Sequence, residues 1–323
     1  MQTESEVPRN YNYVFYNVGM ISDIFFSELH GLENVGIPPE GFLPAFKIPD
    51  HAPLKRLVFK KMYDAYSFDN QLPTCFVFLG GRYAVKDNGY IEYIKKRDKR
   101  NKILFMMQDI MARKFLDPDM RNLDTVKPKV DLITTYDKNE AQKYGFTFMK
   151  EEFYESWVEV TEPIDFDTDL LFIGHRKERF DFLLEIAQYL SSQGVRCDFI
   201  IAGVDEADRE QVEGVSYVEG YLPYAEYVAK IQRSRCILEV AQAGSVAHTL
   251  RTSEALVYRR KLLTNRKIEL DDLPYSASQI RAMTSIDTID VEFLRSANQY
   301  AEFPVVNWKQ RDRLTFFEEH LRA

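Results

Sequence analysis

Short apolar runs, each about as long as a β-strand, recur along the chain and alternate with pieces of helical character. Several of these runs end at a glycine, as at Gly80, Gly174 and Gly203. Strands buried on both faces of a parallel sheet read as continuous apolar runs, and their alternation with helices predicts an α/β fold with helices on both faces of the sheet. The clearest runs span residues 74–79, 103–107, 130–134, 169–173, 197–202 and 236–240.

An acidic stretch at residues 150–168, which includes Pro163, separates two such α/β regions. Mutually repelling carboxylates together with proline are typical of a linker. Directly after it, a strand, an amphipathic helix at 179–192 and a second strand form a βαβ unit. We therefore predict an N-terminal Rossmann-like lobe over 1–160, a C-terminal Rossmann-like lobe over 161–305, and a helix within 306–323 that could cross back to the N-terminal lobe.

Composition narrows the functional classes. The 323-residue chain is 45% apolar and carries a net charge of -8, so it is globular and a poor candidate for nucleic-acid binding, which depends on neutralising phosphates. Its three cysteines are far apart and form no zinc-binding pattern. The polar N-terminus does not resemble a secretory signal, and we find no apolar run long enough to span a membrane. These features favour a cytoplasmic protein, while peripheral membrane contact stays open.

The stretch 236–265 is the most informative part of the chain. It reads as a strand, a loop of small and polar residues, a helix and another strand, with Thr252, Ser253 and Glu254 in the first turn of the helix. Helix starts at the carboxyl ends of parallel strands favour anions. Arg251 and Thr252 could meet phosphate oxygens there. Glu254 could accept hydrogen bonds from a ribose diol, or it could simply compensate the helix dipole.

Two further turns are candidate binding loops. The turn from Gly174 to Arg179 follows a strand, precedes a helix and carries basic side chains that suit a diphosphate, although a charged turn can also serve only to solvate the sheet end. Gly220 and Tyr221 lie at another strand end, where a backbone edge could read a nucleobase and the ring could stack on it; an ordinary turn is the alternative. His175 could act in catalysis or in phosphate binding, or in neither.

Several common catalytic motifs are missing. The sequence has no Gly-x-Gly-x-x-Gly, no Walker loop and no Gly-x-Ser-x-Gly, so dehydrogenase, P-loop and α/β-hydrolase functions lack their markers. The Asp-x-Asp pattern at residues 165–167 lies in the acidic linker with no long sheet before it.

The C-terminal half resembles bacterial glycosyltransferases of the two-lobe GT-B architecture that build lipopolysaccharide, capsule or exopolysaccharide. The similarity extends best over residues 130–265 and is poor before residue 70. The pieces that carry it are DLLFIG at 169–174 with Arg179, VEGYLPYAEY at 218–227, CILEV at 236–240, LRTSEAL at 250–256, RKLLTN at 260–265, and DLITTYD at 131–137 with KYG at 143–145.

This resemblance implies two Rossmann-like lobes with a cleft between them and a nucleotide-sugar donor held by the C-terminal lobe. Glu254 would bind the donor ribose, and Gly220 and Tyr221 would read the base. The groups beside the diphosphate would be Gly174, His175, Arg176, Arg179, Arg251 and Thr252. The N-terminal lobe would bind the acceptor, with Asp23, Asp87 and Asp109 as candidates for the catalytic base. The resemblance implies no cofactor beyond the donor substrate and no obligatory metal.

We therefore expect a glycosyltransferase that moves a sugar from a nucleotide-diphosphate donor to a glycan or lipid-linked acceptor, with possible peripheral contact at the inner membrane surface. The alternative is a non-catalytic nucleotide- or glycan-binding protein that retains a GT-B-like fold. Phosphorylase or epimerase chemistry on the same fold is a third hypothesis.

Overall fold

In the computed structural model, the chain forms two compact units. One comprises Met1–Phe153 together with Trp308–Ala323, and the other comprises Tyr154–Asn307. We call them the N-terminal lobe and the C-terminal lobe. The structure describes residues 10–16, 28–38, 53–66, 68, 70–79, 89–107, 127–150, 165–220, 222–241, 249–266, 276, 278–299, 303 and 309–321.

The N-terminal lobe is built on a six-stranded sheet in which every described pairing is parallel. The strand order is β2-β1-β3-β4-β5-β6. Its elements are β1 (Asn12–Tyr16), β2 (Val35–Gly36), α1 (Pro53–Asp64), β3 (Thr74–Leu79), α2 (Tyr90–Arg97), β4 (Lys102–Met106), β5 (Leu132–Thr135), α3 (Lys138–Tyr144) and β6 (Thr147–Phe148).

The C-terminal lobe is built on a second six-stranded parallel sheet, with the order β12-β11-β10-β7-β8-β9. Its elements are β7 (Thr168–His175), α4 (Phe180–Ser192), β8 (Cys197–Ala202), β9 (Val215–Val218), α5 (Tyr224–Gln232), β10 (Ser234–Glu239), α6 (Leu250–Val257), β11 (Lys261–Thr264), β12 (Ile280–Ala282) and α7 (Val291–Arg295). The last helix, α8 (Gln310–Leu321), belongs to the N-terminal lobe.

Both faces of the N-terminal sheet are buried because alternate residues of its strands point to opposite sides. On one face, Tyr16 and Phe78 pack with residues of α1 and α2, such as Phe59 and Tyr90. On the other face, strand residues pack against α8 through Leu314, Phe317 and Leu321. This two-sided burial explains why the strands read as uninterrupted apolar runs.

The C-terminal core follows the same logic. Phe172 of β7 and Leu238 of β10 pack with Leu183 and Ile186 of α4, which has the apolar stripe of an amphipathic helix. A 3₁₀ turn, Lys177–Arg179, precedes α4, so this helix begins at Phe180 rather than at residue 179. The prediction of an α/β protein with two Rossmann-like lobes is confirmed.

Residues Pro53–Asp64 form the helix α1. The C-terminal helix predicted within 306–323 spans Gln310–Leu321 in the structure. Among the helices of the described residues, none combines the length and the apolar character needed to cross a bilayer.

Candidate functional site

The candidate site is at the switch point of the C-terminal sheet. On one side of this point successive strands are added in one direction across the sheet, and on the other side they are added in the opposite direction. β7 lies beside β10, with β8 and β9 on one side and β11 and β12 on the other. This is the order of the dinucleotide-binding Rossmann fold, in which ligands bind outside the carboxyl ends of the two central strands. Here those ends are Gly174 and His175 on β7 and Glu239 on β10.

Gly174 allows two arginine side chains to come together at this point. A Cβ built on Gly174 would lie 2.4 Å from Nη2 of Arg251 and 3.4 Å from Nη2 of Arg179. Both guanidinium carbons lie 5.1 Å from the centroid of the Phe172 ring, a favourable cation–π arrangement. Arg251 is therefore adjacent in space to Gly174 and Arg179, two predicted residues that are far from it in the sequence.

Backbone carbonyl groups hold the two guanidinium groups in place. Nη1 of Arg179 donates to the carbonyl of Val240, just after β10, and Nη2 of Arg251 donates to the carbonyl of Ile173 in β7. Among the described residues, Arg251 makes no ion pair with a carboxylate. The two side chains thus concentrate positive charge at the switch point, an arrangement that suits a phosphate or diphosphate.

The other two basic candidates of this turn face elsewhere. Arg176 forms an exposed ion pair with Asp208, in which Nη1 lies 2.9 Å from Oδ2, and its guanidinium also lies over the Phe180 ring. The exposed ring of His175 lies against Gly203, where an added Cβ would be 2.1 Å from Cε1 of the ring. Their predicted roles toward a donor therefore stay predictions.

Glu239 ends β10 and is the centre of a buried polar cluster that also comprises Thr249, Thr252, Thr264 and Arg266. The hydroxyls of Thr249 and Thr252 donate to Oε1 of Glu239, the latter at 2.9 Å. The hydroxyl of Thr264 and Nε of Arg266 donate to Oε2, each at 2.7 Å. The cluster ties the end of β10 to β11 and to the start of α6.

The electrostatics of Glu239 suit a permanently charged structural group. Burial alone would raise the pKa of its carboxyl, but the Arg266 guanidinium and the threonine hydroxyls outweigh burial and hold the pKa below its ordinary value. Nη2 of Arg266 also donates to the Thr252 hydroxyl at 3.0 Å. The Thr252 hydroxyl is thus committed to this buried cluster.

The start of α6 differs from the sequence prediction. Thr249 is the N-cap, and its side chain accepts a hydrogen bond from the backbone N–H of Arg251 at 3.2 Å. No acidic residue lies in the first turn. The prediction that placed Glu254 there is wrong, because it is the fifth residue of the helix. Dipole compensation therefore does not explain this carboxylate, since that effect fades beyond the first turn.

Glu254 is fully buried and accepts hydrogen bonds from two tyrosines of α5. The hydroxyl of Tyr224 lies 3.4 Å from Oε1, and the hydroxyl of Tyr227 donates to Oε2. Tyr224 and Tyr227 are three residues apart, which places them on one helix face with ring centroids 5.6 Å apart. Both carboxylate oxygens of Glu254 therefore have phenolic donors.

Burial raises the pKa of Glu254 to about 7, although the tyrosine hydrogen bonds and the charge of Arg251 act in the opposite direction. The two buried glutamates of this region thus differ in kind. Glu239 has a cationic hydrogen-bond partner and stays charged, whereas Glu254 accepts its hydrogen bonds from neutral phenols and changes protonation near neutral pH. A carboxyl of this second type is more often found at functional sites than in structural ion pairs.

Of the remaining predicted site residues, the structure describes only Gly220. Gly220 is exposed, and a Cβ placed on it would meet nothing within 4 Å. It leads towards α5, whose tyrosines contact Glu254. Tyr221 lies outside the described residues, and so do the three candidates for a catalytic base, Asp23, Asp87 and Asp109.

Sequence reasoning missed Glu239, Arg266 and the two tyrosines of α5. A signal for Glu239 was present, because a carboxylate inside an apolar strand needs a buried cationic partner. The next strand is followed closely by Arg266, which could have supplied it. Within the described part of the chain, no group of three or more His, Cys, Asp or Glu side chains is arranged to hold a metal ion.

No family model matches the chain, and no curated protein matches it in sequence. Solved structures, in contrast, match nearly its whole length. UDP-N-acetylglucosamine 2-epimerase from Rickettsia bellii is 13% identical, with 96% of each chain covered and a TM-score of 0.51. A protein described as a UDP-N-acetylglucosamine 2-epimerase from Listeria monocytogenes is 11% identical, with 96% of this chain and 97% of that chain covered and a TM-score of 0.53.

The α,α-trehalose-phosphate synthase (UDP-forming) from Burkholderia xenovorans is 10% identical, with 93% of this chain and 81% of that chain covered and a TM-score of 0.51. At such identities the likeness concerns the fold. It confirms the predicted GT-B fold, with two Rossmann-like lobes, for this chain.

Proposed function

We propose that this protein is a glycosyltransferase that transfers a sugar from a nucleotide-diphosphate donor to a glycan or lipid-linked acceptor in bacterial surface polysaccharide synthesis. The C-terminal lobe binds the donor. The diphosphate lies at the carboxyl ends of β7 and β10, and the nucleoside extends towards α5 and α6.

The observation that carries this proposal is the meeting of Arg179 and Arg251 beside Gly174. Two guanidinium groups at a switch point offset the negative charge that develops on a departing diphosphate. Their hydrogen bonds to backbone carbonyls and their stacking on Phe172 fix them before a ligand arrives. A preorganised pair of this kind needs little rearrangement in the transition state.

Glu254 is the proposed ribose-binding carboxylate. A ribose diol donates two hydrogen bonds, as Tyr224 and Tyr227 do in this structure. The donor therefore replaces at least one tyrosine hydroxyl, and a small movement of α5 relative to α6 opens the carboxylate to it. Gly220 and Tyr221, which precede α5, lie in the segment proposed to read the base.

The names of the similar structures support a nucleotide-sugar ligand. Two are named for UDP-N-acetylglucosamine and the third is named as UDP-forming. UDP is therefore the first nucleotide to test for this chain. Arg176 and His175 are proposed to contribute further donor contacts once Arg176 leaves Asp208.

The acceptor is proposed to bind the N-terminal lobe, with Asp109 or Asp23 as the base that activates its hydroxyl. A lipid-linked acceptor would bring the chain to the cytoplasmic surface of the inner membrane. The outer face of α1 suits such peripheral contact, because Leu57 is 61% exposed there and lies beside the exposed cations Arg56, Lys60 and Lys61.

The proposal is tested by thermal-shift screening of the purified protein with UDP, GDP, CMP and dTDP sugars. A ligand that binds only the folded state raises the melting temperature by mass action. We expect stabilisation by at least one of them, most of it lost in Glu254→Ala. No stabilisation of the wild type by any of the nucleotides would refute the proposal, and an undiminished shift in Glu254→Ala would refute the ribose role.

The second candidate is a non-catalytic nucleotide- or glycan-binding protein with the same fold. One observation favours it: Arg179, Arg251 and Glu254 can all bind a donor without reacting with it. An assay of donor hydrolysis or sugar transfer, measured through the nucleotide that is released, separates the two candidate functions. Nucleotide binding without either reaction would favour the second candidate.

A further inference from the structure

A cavity lies at the edge of the C-terminal sheet opposite the switch point, where β11 and β12 begin. Its volume is about 340 Å³, within the range of small-molecule sites. Lys261 opens β11 and Gln279 directly precedes β12, and both line the cavity. Because β11 runs from Lys261 to Thr264, this cavity is separated from the Glu239 cluster by roughly 10 Å of strand.

One buried donor in the cavity has no acceptor. Gln279 is 2% exposed, and its Oε1 accepts a hydrogen bond from the backbone N–H of Ser276 at 2.9 Å. This bond fixes the orientation of the amide, so that Nε2 points away from Ser276. Among the described residues, Nε2 has no hydrogen-bond partner. A buried donor left without an acceptor is costly and marks a place where a bound molecule can supply one.

The two cations that line the cavity, Lys261 and Arg281, already have partners within the chain. Nζ of Lys261 donates to the carbonyl of Phe293 and, at 2.7 Å, to the carbonyl of Ser296, which caps the end of α7. Arg281 pairs with Asp290 at 3.7 Å, and its guanidinium stacks on Phe293 with 5.0 Å to the ring centroid. Burial also lowers the pKa of Lys261 to about 8. The cavity is therefore poorly suited to an anion.

The remaining groups suit a neutral polyhydroxylated molecule. Glu292 also lines the cavity and forms no ion pair with any described residue, so it can accept hydrogen bonds from hydroxyl groups. The Gln279 amide can donate to a hydroxyl or carbonyl oxygen, and the two acids balance the two cations. We propose that this cavity is a saccharide-binding site separate from the donor site. This inference does not depend on the proposed transferase activity.

The test is a titration of the ¹⁵N-labelled full-length protein with glucose, galactose, mannose and N-acetylglucosamine, followed through the side-chain amide resonance of Gln279. Loss of the signal in Gln279→Glu assigns it. At least one sugar should shift this resonance saturably, and excess UDP should leave the shift in place. No shift with any of the four sugars would overturn the proposal, as would displacement of the sugar by UDP or by inorganic phosphate.

Two variants test the assignment of the contacts. Gln279→Glu keeps the acceptor for Ser276 but removes the amide donor, and Glu292→Gln changes an exposed side chain that the fold does not need. Each should weaken sugar binding, read in the variants from the backbone amide resonances of residues that line the cavity, roughly fivefold or more, the cost of a lost hydrogen bond. Gln188→Glu makes the same change as Gln279→Glu on the exposed face of α4 and should leave binding unchanged. Unaltered affinity in both Gln279→Glu and Glu292→Gln would contradict the proposal.

Discussion

Each of the two sheets has six parallel strands, but the sheets differ in the residues at their switch points. In the N-terminal lobe, β1 and β3 flank the switch point, and their described ends are aromatic and apolar. Tyr16, the last residue of β1, stacks on Phe78 at 5.2 Å, and its hydroxyl lies 2.9 Å from that of Tyr90. In the C-terminal lobe, β7 and β10 flank the switch point and end in Gly174 and Glu239, with two guanidinium groups beside them.

This difference separates what topology provides from what residues provide. Both sheets have strand orders whose switch points commonly bind ligands. Only the residues decide which ligand is favoured, and of the two switch points, as far as their residues are described, the one in the C-terminal lobe has two guanidinium groups beside it. The segments that follow β1 and β3, which contain Asp23 and Asp87, lie outside the described residues. The predictions below test whether the C-terminal switch point is the nucleotide site.

The largest expected effect is on stability. Glu239→Ala should lower the free energy of unfolding by about 3–5 kcal/mol, because it leaves Arg266 buried without its partner. Asp137, a buried carboxylate of the N-terminal lobe, caps α3 by accepting from the backbone N–H of Glu140, and its loss should cost about 1 kcal/mol. Urea unfolding measures both. Equal losses would show that the Glu239 cluster is not a special stabilising feature of the C-terminal lobe.

The second prediction concerns pH. Since the pKa of Glu254 is raised to about 7, the folded state binds this proton more tightly than the unfolded state does. Its stabilising effect is complete below the ordinary pKa near 4.5 and is lost as the pH rises through about 7. As the pH rises from 5 to 8, the free energy of unfolding of Glu254→Gln should therefore increase by up to about 3 kcal/mol relative to that of the wild type.

Denaturant unfolding at several pH values measures this difference. Glu239, whose pKa is lowered, acts in the opposite sense, so the stability that it contributes is present above its ordinary pKa and is lost as the pH falls below it. A gap between Glu254→Gln and the wild type that stays constant with pH would contradict a raised pKa for Glu254.

The third prediction concerns nucleotide affinity. Gly174→Ala should weaken nucleotide binding about tenfold, because the new Cβ displaces the Arg251 guanidinium. Stability should change less than affinity, since the nearest atom, Nη2 of Arg251, is the end of a flexible side chain, and Cζ of Phe172, at 3.2 Å from the added Cβ, has to give by only a few tenths of an ångström. Gly31→Ala is the matched control in the N-terminal lobe, where an added Cβ meets nothing within 4 Å. Calorimetric titration compares the two; equal affinities would exclude the arginine pair from the site.

The smallest effect is expected for Tyr227→Phe. If the ribose replaces the tyrosine hydroxyl on Glu254, nucleotide affinity should stay within about threefold of the wild type, because the lost hydrogen bond exists only in the free protein. The pKa of Glu254 should rise further, since that hydrogen bond lowers it. Titration of the variant with nucleotide measures the affinity. A loss as large as in Glu254→Ala would mean that the donor needs the Tyr227 hydroxyl itself.

The sequence predicted the sheets better than the site. The strands at 74–79 and 197–202 have the predicted bounds, because burial on both faces makes such strands apolar throughout. The convergence of Gly174, Arg179 and Arg251 followed from the parallel topology, which brings the ends of neighbouring strands together.

The side-chain partners were harder to predict because they depend on packing between elements. Thr249 looked like part of the loop, so the start of α6 was placed too late and Glu254 too early in the helix. The donors to Glu254 come from α5, 27 and 30 residues away in sequence. No local pattern pairs a helix carboxylate with tyrosines of another helix. The roles of Asp23 and Asp109 stay predictions.

The most direct test of the account is amide hydrogen exchange of the full-length protein with and without saturating UDP. If the C-terminal switch point binds the nucleotide, UDP should slow exchange in peptides covering the turn from Gly174 to Arg179 and the first turns of α6, with little change around β1 and β3. The opposite result, slowed exchange at the ends of β1 and β3 and none at the C-terminal switch point, would contradict it.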